Sequence, residues 1–143
     1  SQTMNIRYLV DTNIISEPTR PSPDSNVVTQ LRLHYSEIAI PSVVLHELIF
    51  GIERLPHGRK KVELKDYLEN IVLNTITVLP YDANAALWHA TERAKLQSTG
   101  ISLPFVDGQI ASIAAIHQLT LVTRNLSDFQ HYSDLELENW YSI

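Results

Sequence analysis

The chain has 143 residues, a formal net charge of −5 at pH 7 and no cysteine. This length fits one domain whose core needs neither a disulfide nor a structural metal, and the lack of cysteine excludes thiolate zinc sites and thiol catalysis. The sequence has no charged-then-apolar leader and no apolar run long enough to cross a bilayer, so we expect a cytoplasmic protein without a membrane partner.

The first predicted element is a buried strand over residues 6–11 that ends in an acid. Asp11 is the first acid after the mainly apolar run that begins at Ile6. Ligands of open α/β sheets bind beyond the carboxyl ends of the strands, which makes Asp11 a candidate site residue. A structural interpretation stays open, in which Asp11 or Thr12 caps a helix that begins near Asn13.

A proline-containing loop and a capped helix follow. We predict a loop from Glu17 to Asp24, since its prolines oppose regular structure. The next strand is predicted over residues 37–40, and Ser42 is expected to cap a helix that runs to about Leu55.

Glu47 lies within this helix, on the side that we expect to face the core. At about 100° per residue, Val44 and Phe50 lie on the same side, whereas His46 and Glu53 mark the solvent side. An acid at the edge of a core requires a cation or a hydrogen-bond donor. Glu47 is therefore either a metal ligand or a structural acid, which forms an ion pair with another segment or extends its carboxylate to solvent at the edge of the core.

The segment after this helix contains the densest basic run of an otherwise acidic chain. Residues 56–58 break the chain, and a more polar helix is predicted from about Lys60 to Asn70. Such a run is either a local patch for nucleic-acid phosphates or a solvated helix face. The basic candidates are Arg54, Arg59, Lys60 and Lys61.

The second half of the chain adds three strands, two helices and two acids. We predict strands over residues 75–79 and 119–123, with a weaker one over 135–138, and a helix from Asn84 to Ser98 that Asp82 caps and Gly100 ends. Asp107 lies in the first turn of the following helix, where the helix dipole also favours a purely structural acid. Asp128 follows the last strong strand, although it could equally belong to an ordinary turn.

Strands that alternate with helices predict an α/β fold with a mainly parallel sheet. Three of the four acids follow a predicted strand or begin a helix, and the carboxyl ends of parallel strands share one edge, where the acids are expected to meet. Hard oxygen ligands without cysteine suit Mg²⁺ or Mn²⁺. The histidines lack the spacing of a metal-binding pair, and no phosphate-binding glycine loop or nucleophile elbow is present.

These motifs resemble the PIN-domain ribonucleases, and most of all the VapC-type toxins of toxin–antitoxin pairs. Residues 11–13 are similar to the opening motif of that family, residues 42–48 to its second acid within a helix, and residues 107–111 to its third. Residues 123–125 with Asp128 and Phe129 resemble its closing motif. The resemblance covers nearly the whole chain, as a single PIN-like domain over residues 4–143, and residues 1–3 are interpreted as a cloning remnant.

The resemblance implies a central parallel sheet of four or five strands between helices, and an endoribonuclease that hydrolyses RNA with a metal-activated water. Asp11, Glu47, Asp107 and Asp128 would hold Mg²⁺ or Mn²⁺. It also implies a homodimer, a cognate antitoxin, and operator DNA contacts made only through that antitoxin. The expected supporting residues, which would orient carboxylates or substrate, are Thr12, Asn13, Thr123 and Asn125.

Two other functions remain open at this point. The same fold could be a catalytically silent scaffold whose acids bind a basic peptide. It could also be a metal-dependent phosphatase that acts on a small molecule and shares the acids but does not need the basic patch.

Overall fold

The computed structural model describes residues 5–142, which form a five-stranded sheet of order β3-β2-β1-β4-β5. Every neighbouring pair of strands is parallel, which confirms the predicted fold class. The strands are β1 (Tyr8–Val10), β2 (Ile38–Pro41), β3 (Thr77–Leu79), β4 (Thr120–Val122) and β5 (Leu137–Glu138).

Helices connect the strands and cover the sheet. The α-helices are α1 (Thr12–Ser16), α2 (Ser25–Leu33), α3 (Ser42–Glu53), α4 (Arg59–Tyr67), α5 (Leu73–Thr75), α6 (Ala83–Ser98) and α7 (Phe105–Ile116). Short 3₁₀ turns lie at Glu17–Thr19, Tyr35–Glu37 and Leu126–Asp128, and a π-helical turn at Leu68–Val72 joins α4 to α5.

The central strands are apolar because helices cover both of their faces. Leu9, Val10, Ile40, Leu121 and Val122 are each 0% exposed. A buried strand cannot hold a charged side chain without a partner, so the first charged residue appears directly after β1. This places Asp11 at the carboxyl edge of the sheet.

Two local predictions were wrong. Pro41, not Ser42, is the residue that precedes α3, and no side-chain cap bond is made there. The predicted loop from Glu17 to Asp24 starts with a 3₁₀ turn, because Pro18 fits the first positions of such a turn. By contrast, Asp82 caps α6 through the backbone N–H of Ala85, as predicted.

Candidate metal centre

Asp11 is held in one orientation by its neighbours. It caps α1 by accepting a hydrogen bond from the Ile14 backbone N–H at 3.3 Å, and its other oxygen accepts one from the Thr123 hydroxyl at 2.6 Å. Burial raises the pKa of Asp11, and the Thr123 hydrogen bond opposes that rise. The capping interpretation is therefore correct, and the cap also fixes a carboxylate at the edge of the sheet.

Asp107 lies in the first turn of α7 and is half-buried. Burial raises its pKa first, and the charges of Asp128, Asp11 and Glu47 raise it further. Because repulsion falls with distance, this pattern means that the four acids converge on one edge of the molecule.

The first turn of α7 is held against α6 by a close contact. A Cβ atom added to Gly108 would lie 2.0 Å from Nε2 of His89, which is 3% exposed. The His89 ring also accepts or donates a hydrogen bond with the Tyr81 hydroxyl at 2.9 Å. The sequence suggested an ordinary helix position for His89 and gave no sign of this contact, which fixes the backbone beside Asp107.

Glu47 and Asp128 complete the set from exposed positions. Glu47 projects from α3 and is exposed, so the expectation that it faces the core was wrong. It lies on the rim of an apolar groove that Leu48, Ile52 and Leu64 also line. Asp128 ends a 3₁₀ turn, and its backbone N–H donates to the carbonyl of Asn125.

None of the four acids forms an ion pair with a basic side chain of residues 5–142. Glu47 therefore has no ion-pair partner within that range. Acids that repel one another and lack a cation provide a donor set of hard oxygens, which fits a divalent ion such as Mg²⁺.

As they are placed, the four carboxylates could not all coordinate one ion directly. Within the described range, no three Asp, Glu, His or Cys side chains form a group that could hold a metal as they stand. Mg²⁺ usually retains several water ligands, so only some of the acids need to touch it. The chemistry of the donors therefore fits a divalent ion that is bound partly through water.

Among the supporting residues, Thr123 alone hydrogen bonds to an acid through its side chain in the part of the chain described. Its hydroxyl also accepts from the Asn125 backbone N–H at 3.1 Å. Thr12 lines the groove beside Glu47, and the carbonyl of Asn13 accepts from the Tyr141 hydroxyl. Roles for these residues toward metal or substrate stay predictions.

The basic residues of the predicted patch already have partners within the chain. Arg59 pairs with Glu63 at 3.4 Å, and Lys60 donates to the Thr19 carbonyl. Lys61 donates to the carbonyls of Glu53 and Leu55 and so satisfies the end of α3. Arg54 lies over the Phe50 ring. RNA binding by this patch stays a prediction.

Comparison with known proteins places this geometry in a family. The family model described as "PIN domain" matches residues 8–135. Toxin FitB of Neisseria gonorrhoeae is 36% identical over 85% of this chain and 89% of its own length. Ribonuclease VapC2 of Rickettsia felis is 32% identical, over 93% of this chain and 97% of its own.

A solved structure agrees with these relatives. The structure of FitAB bound to the IR36 DNA fragment superposes with a TM-score of 0.87 at 30% identity, and covers 95% of this chain and 96% of that one. The resemblance proposed from the sequence is thereby confirmed. Separately, no helix within residues 5–142 has the length and apolar character that crossing a bilayer demands.

Proposed function

Because this chain belongs to the PIN domain family, we propose that it is an endoribonuclease that acts as the toxin of a toxin–antitoxin pair. The relatives named as ribonuclease and toxin align over most of their length, so the similarity is not confined to one motif. PIN-domain nucleases depend on a divalent metal. We propose Mg²⁺ or Mn²⁺ as the ion and residues 4–143 as the single domain that carries the activity.

One observation carries the assignment of the site. Asp107 is destabilised in its charged form by Asp11, Glu47 and Asp128 together, and no basic side chain of residues 5–142 compensates any of them. A protein that needed these acids only for stability would pair them. We infer that Asp11, Glu47 and Asp107 hold the ion, with Asp128 beside it or connected through water.

In this proposal the bound ion and the residues around it have different roles in the hydrolysis of RNA. A bound divalent ion lowers the pKa of water and offsets the charge that develops on a phosphodiester. Thr123 and the start of α1 keep the Asp11 carboxylate oriented. Burial and then the charges of neighbouring acids raise the pKa of Asp107, and those same negative charges would attract a divalent cation to that carboxylate. The exposed Glu47 and Asp128 leave the site open to a polymeric substrate.

An antitoxin would reach the same edge. The apolar groove beside Glu47, between α1, α3 and α4, has a volume of about 220 Å³. An inhibitory segment lying there could place an Arg or Lys between Asp11, Glu47 and Asp107, since a guanidinium forks onto two carboxylate oxygens. In this proposal the toxin is a cytoplasmic homodimer, and its complex contacts operator DNA through the antitoxin.

The discriminating experiment compares two substrates. Purified protein is incubated with a structured RNA or with p-nitrophenyl phosphate, each with and without Mg²⁺. We expect cleavage of the RNA alone and only with the metal. Hydrolysis of p-nitrophenyl phosphate without RNA cleavage would instead identify a phosphatase, and binding without turnover would identify a silent scaffold.

Toxicity is tested in cells. Expression of the chain alone should arrest growth, expression of Asp107→Asn should not, and co-expression of a neighbouring small gene should restore growth. If active wild-type protein is harmless without a partner, the toxin proposal is wrong although the nuclease proposal survives.

A further inference from the structure

The arginines of this protein differ in their partners. Arg7, Arg20 and Arg59 form ion pairs with acids. Four others form no ion pair within residues 5–142; three of these four stack on aromatic rings, and Arg32 does not. The distances from guanidinium carbon to ring centre are 5.3 Å for Arg54 over Phe50, 5.5 Å for Arg93 over Phe105 and 4.3 Å for Arg124 over Tyr141.

The pair of Arg54 and Phe50 lies on the same helix as Glu47. Phe50 lies about one helical turn after Glu47, and Arg54 lies about two turns after it. All three side chains therefore project from one side of α3 and its carboxyl end. Phe50 is 55% exposed. A stacked cation and an open aromatic ring therefore flank this acid.

The other two pairs flank the remaining acids. Phe105 shares the first turn of α7 with Asp107, is 50% exposed, and borders a cavity of about 290 Å³ together with Arg93. Arg124 directly follows Thr123, the residue that holds Asp11. Its stacking partner Tyr141 donates a hydrogen bond to the carbonyl of Asn13 at 3.2 Å.

A fourth stacked arginine, Arg7, differs from these three in its position and in having an acidic partner. Arg7 lies over the Tyr8 ring at 5.1 Å, but this pair is at the amino end of β1, away from the acids. Arg7 also has an acidic partner, Glu37, at 3.3 Å. Within the described residues, stacked arginines without an acid partner are thus found next to the acid-bearing elements.

This arrangement suits unpaired nucleotides. A guanidinium supported by a ring keeps its donors available for phosphate, and its outer face and the exposed rings can stack on bases. The chain needs such local attraction, because its formal net charge is −5 and its acids repel phosphate. Stacking on bases also requires a strand whose bases are not already paired.

We propose that the pairs Arg54–Phe50, Arg93–Phe105 and Arg124–Tyr141 bind single-stranded RNA on either side of the scissile phosphate. This inference rests on the proposed ribonuclease function and assigns the residues that would hold the substrate strand beside the acids. Arg59, Lys60 and Lys61 contribute less, because their charged groups already have partners in the chain.

The test measures RNA binding in an Asp107→Asn background, which prevents cleavage. A labelled single-stranded RNA and the duplex of the same sequence are titrated with protein that carries Arg54→Ala, Arg93→Ala and Arg124→Ala together. We expect affinity for the single strand to fall at least about tenfold, and the salt dependence to flatten by about 0.7 units of slope per arginine lost. Binding of the duplex, weak from the start, should change less.

Two matched controls and one conservative variant sharpen the test. Arg32→Ala removes an arginine of α2 away from the acids, and Arg7→Ala removes a stacked arginine at the opposite end of β1; both should bind as the parent does. Arg→Lys at the three positions should restore the salt slope but not the full affinity, because lysine keeps the charge and loses the planar stacking surface. Thermal melts confirm that each variant is folded.

The outcomes separate this inference from the function on which it rests. Wild-type protein that cleaves RNA with Mg²⁺, while the triple alanine variant binds the single strand equally well, would overturn the inference and leave the nuclease intact. Loss of dimer or antitoxin binding with unchanged RNA affinity would reassign these arginines to a protein interface and also overturn it. A wild type that neither binds nor cleaves RNA would defeat the proposed function itself.

Discussion

Buried acids occur in two different settings in this molecule. Glu17 and Glu92 are 4% and 5% exposed, close to the 9% of Asp11. Burial raises the pKa of Glu92, but hydrogen bonds from Ser133 and the charge of Lys95 outweigh it, so that the net direction is downward. Glu92 accepts from the Ser133 backbone N–H at 2.6 Å and pairs with Lys95 at 3.3 Å.

Glu17 is satisfied in the same way. It accepts hydrogen bonds from the Tyr141 hydroxyl at 2.7 Å and the Asp24 backbone N–H at 2.8 Å, and it pairs with Arg20 at 3.1 Å. Although burial raises its pKa, these partners make the net shift downward.

The acids at the sheet edge differ in one respect. The pKa values of Asp11 and Asp107 are raised, because hydrogen bonds do not offset burial at Asp11 and because neighbouring acids add repulsion at Asp107. The chain can evidently neutralise a buried acid, as it does for Glu92. That it leaves the edge acids uncompensated within residues 5–142 indicates a partner from outside the chain.

The largest effect is expected for Asp107→Asn. Metal-assisted catalysis contributes several kcal/mol, and each 1.4 kcal/mol is a factor of ten in rate, so Mg²⁺-dependent RNA cleavage should fall by about a hundredfold or more. Cleavage of a labelled RNA is the measurement. We expect a similar loss of RNA cleavage for Asp11→Asn.

Glu92→Gln is the control for that comparison, because it also neutralises an acid that is at least partly buried, but that acid lies outside the proposed site. Per folded molecule it should cleave RNA at the wild-type rate. Wild-type activity in Asp107→Asn, or equal losses in both variants, would contradict the division between the two groups of acids.

Stability should show the reverse order. Glu92→Gln removes the charge paired with Lys95 and weakens the bond to Ser133, and should lower the free energy of unfolding by about 1–3 kcal/mol. Asp107→Asn should leave the metal-free protein at least as stable as the wild type, since it relieves repulsion. Urea unfolding with EDTA present measures both. A large loss of stability in Asp107→Asn would make that acid structural.

Gly108→Ala tests what holds Asp107 in place. Its Cβ would meet the His89 ring, and such overpacking costs about 1–3 kcal/mol. Adding His89→Ala makes room for the methyl group, so the double variant should be more stable than the sum of the single changes predicts. Strict additivity in urea unfolding would show that the contact is unimportant.

Much of this fold follows from local sequence. Apolar runs predicted all five strands, because strands covered on both faces have no alternative to apolar side chains, and the acid after β1 marked the sheet edge. Pro41 and the turn at Glu17 were missed, since a capping side chain and a proline each permit more than one local conformation. Ring-to-backbone contacts such as His89 with Gly108 depend on how α6 meets α7, which neither helix encodes alone.

In the candidate site, too, the sequence predicted the features that local position determines and missed those that depend on contacts between elements. Three of its acids could be found because each lies at the end or the beginning of an element, whereas Glu47 lies within α3 and was identified from its position on the helix and from the family motif. Thr123 was among the residues expected to orient a carboxylate or the substrate, but the sequence did not show that its partner is Asp11, because that contact depends on the pairing of β1 with β4. Arg54 was among the predicted basic candidates, but Arg93 and Arg124 were missed because their stacking partners come from separate elements. The exposure of Glu47 was missed because the groove beside it leaves that side of α3 open.

A smaller difference is expected in the pH dependence of metal-free stability. A raised pKa means that the folded protein binds the Asp107 proton more tightly than the unfolded chain does. Stability should therefore fall as pH rises from the ordinary aspartate pKa through the raised one, and Asp107→Asn should show a smaller decline, because only the contribution of Asp11 remains. Glu92 acts oppositely, with a contribution that is lost as pH falls through its lowered pKa. Parallel pH profiles for wild type and Asp107→Asn would contradict the assigned shift.

Metal binding itself tests the central claim most directly. Thermal unfolding is followed while Mn²⁺ or Mg²⁺ is added to EDTA-treated protein, because an ion that binds only the folded state stabilises it by about 2.7 kcal/mol at a hundred times its Kd. We predict that the Tm of the wild type and of Arg32→Ala rises with metal concentration and that the Tm of Asp107→Asn does not. An equal rise in wild type and Asp107→Asn, or no rise in the wild type, would contradict a metal centre formed by these four acids.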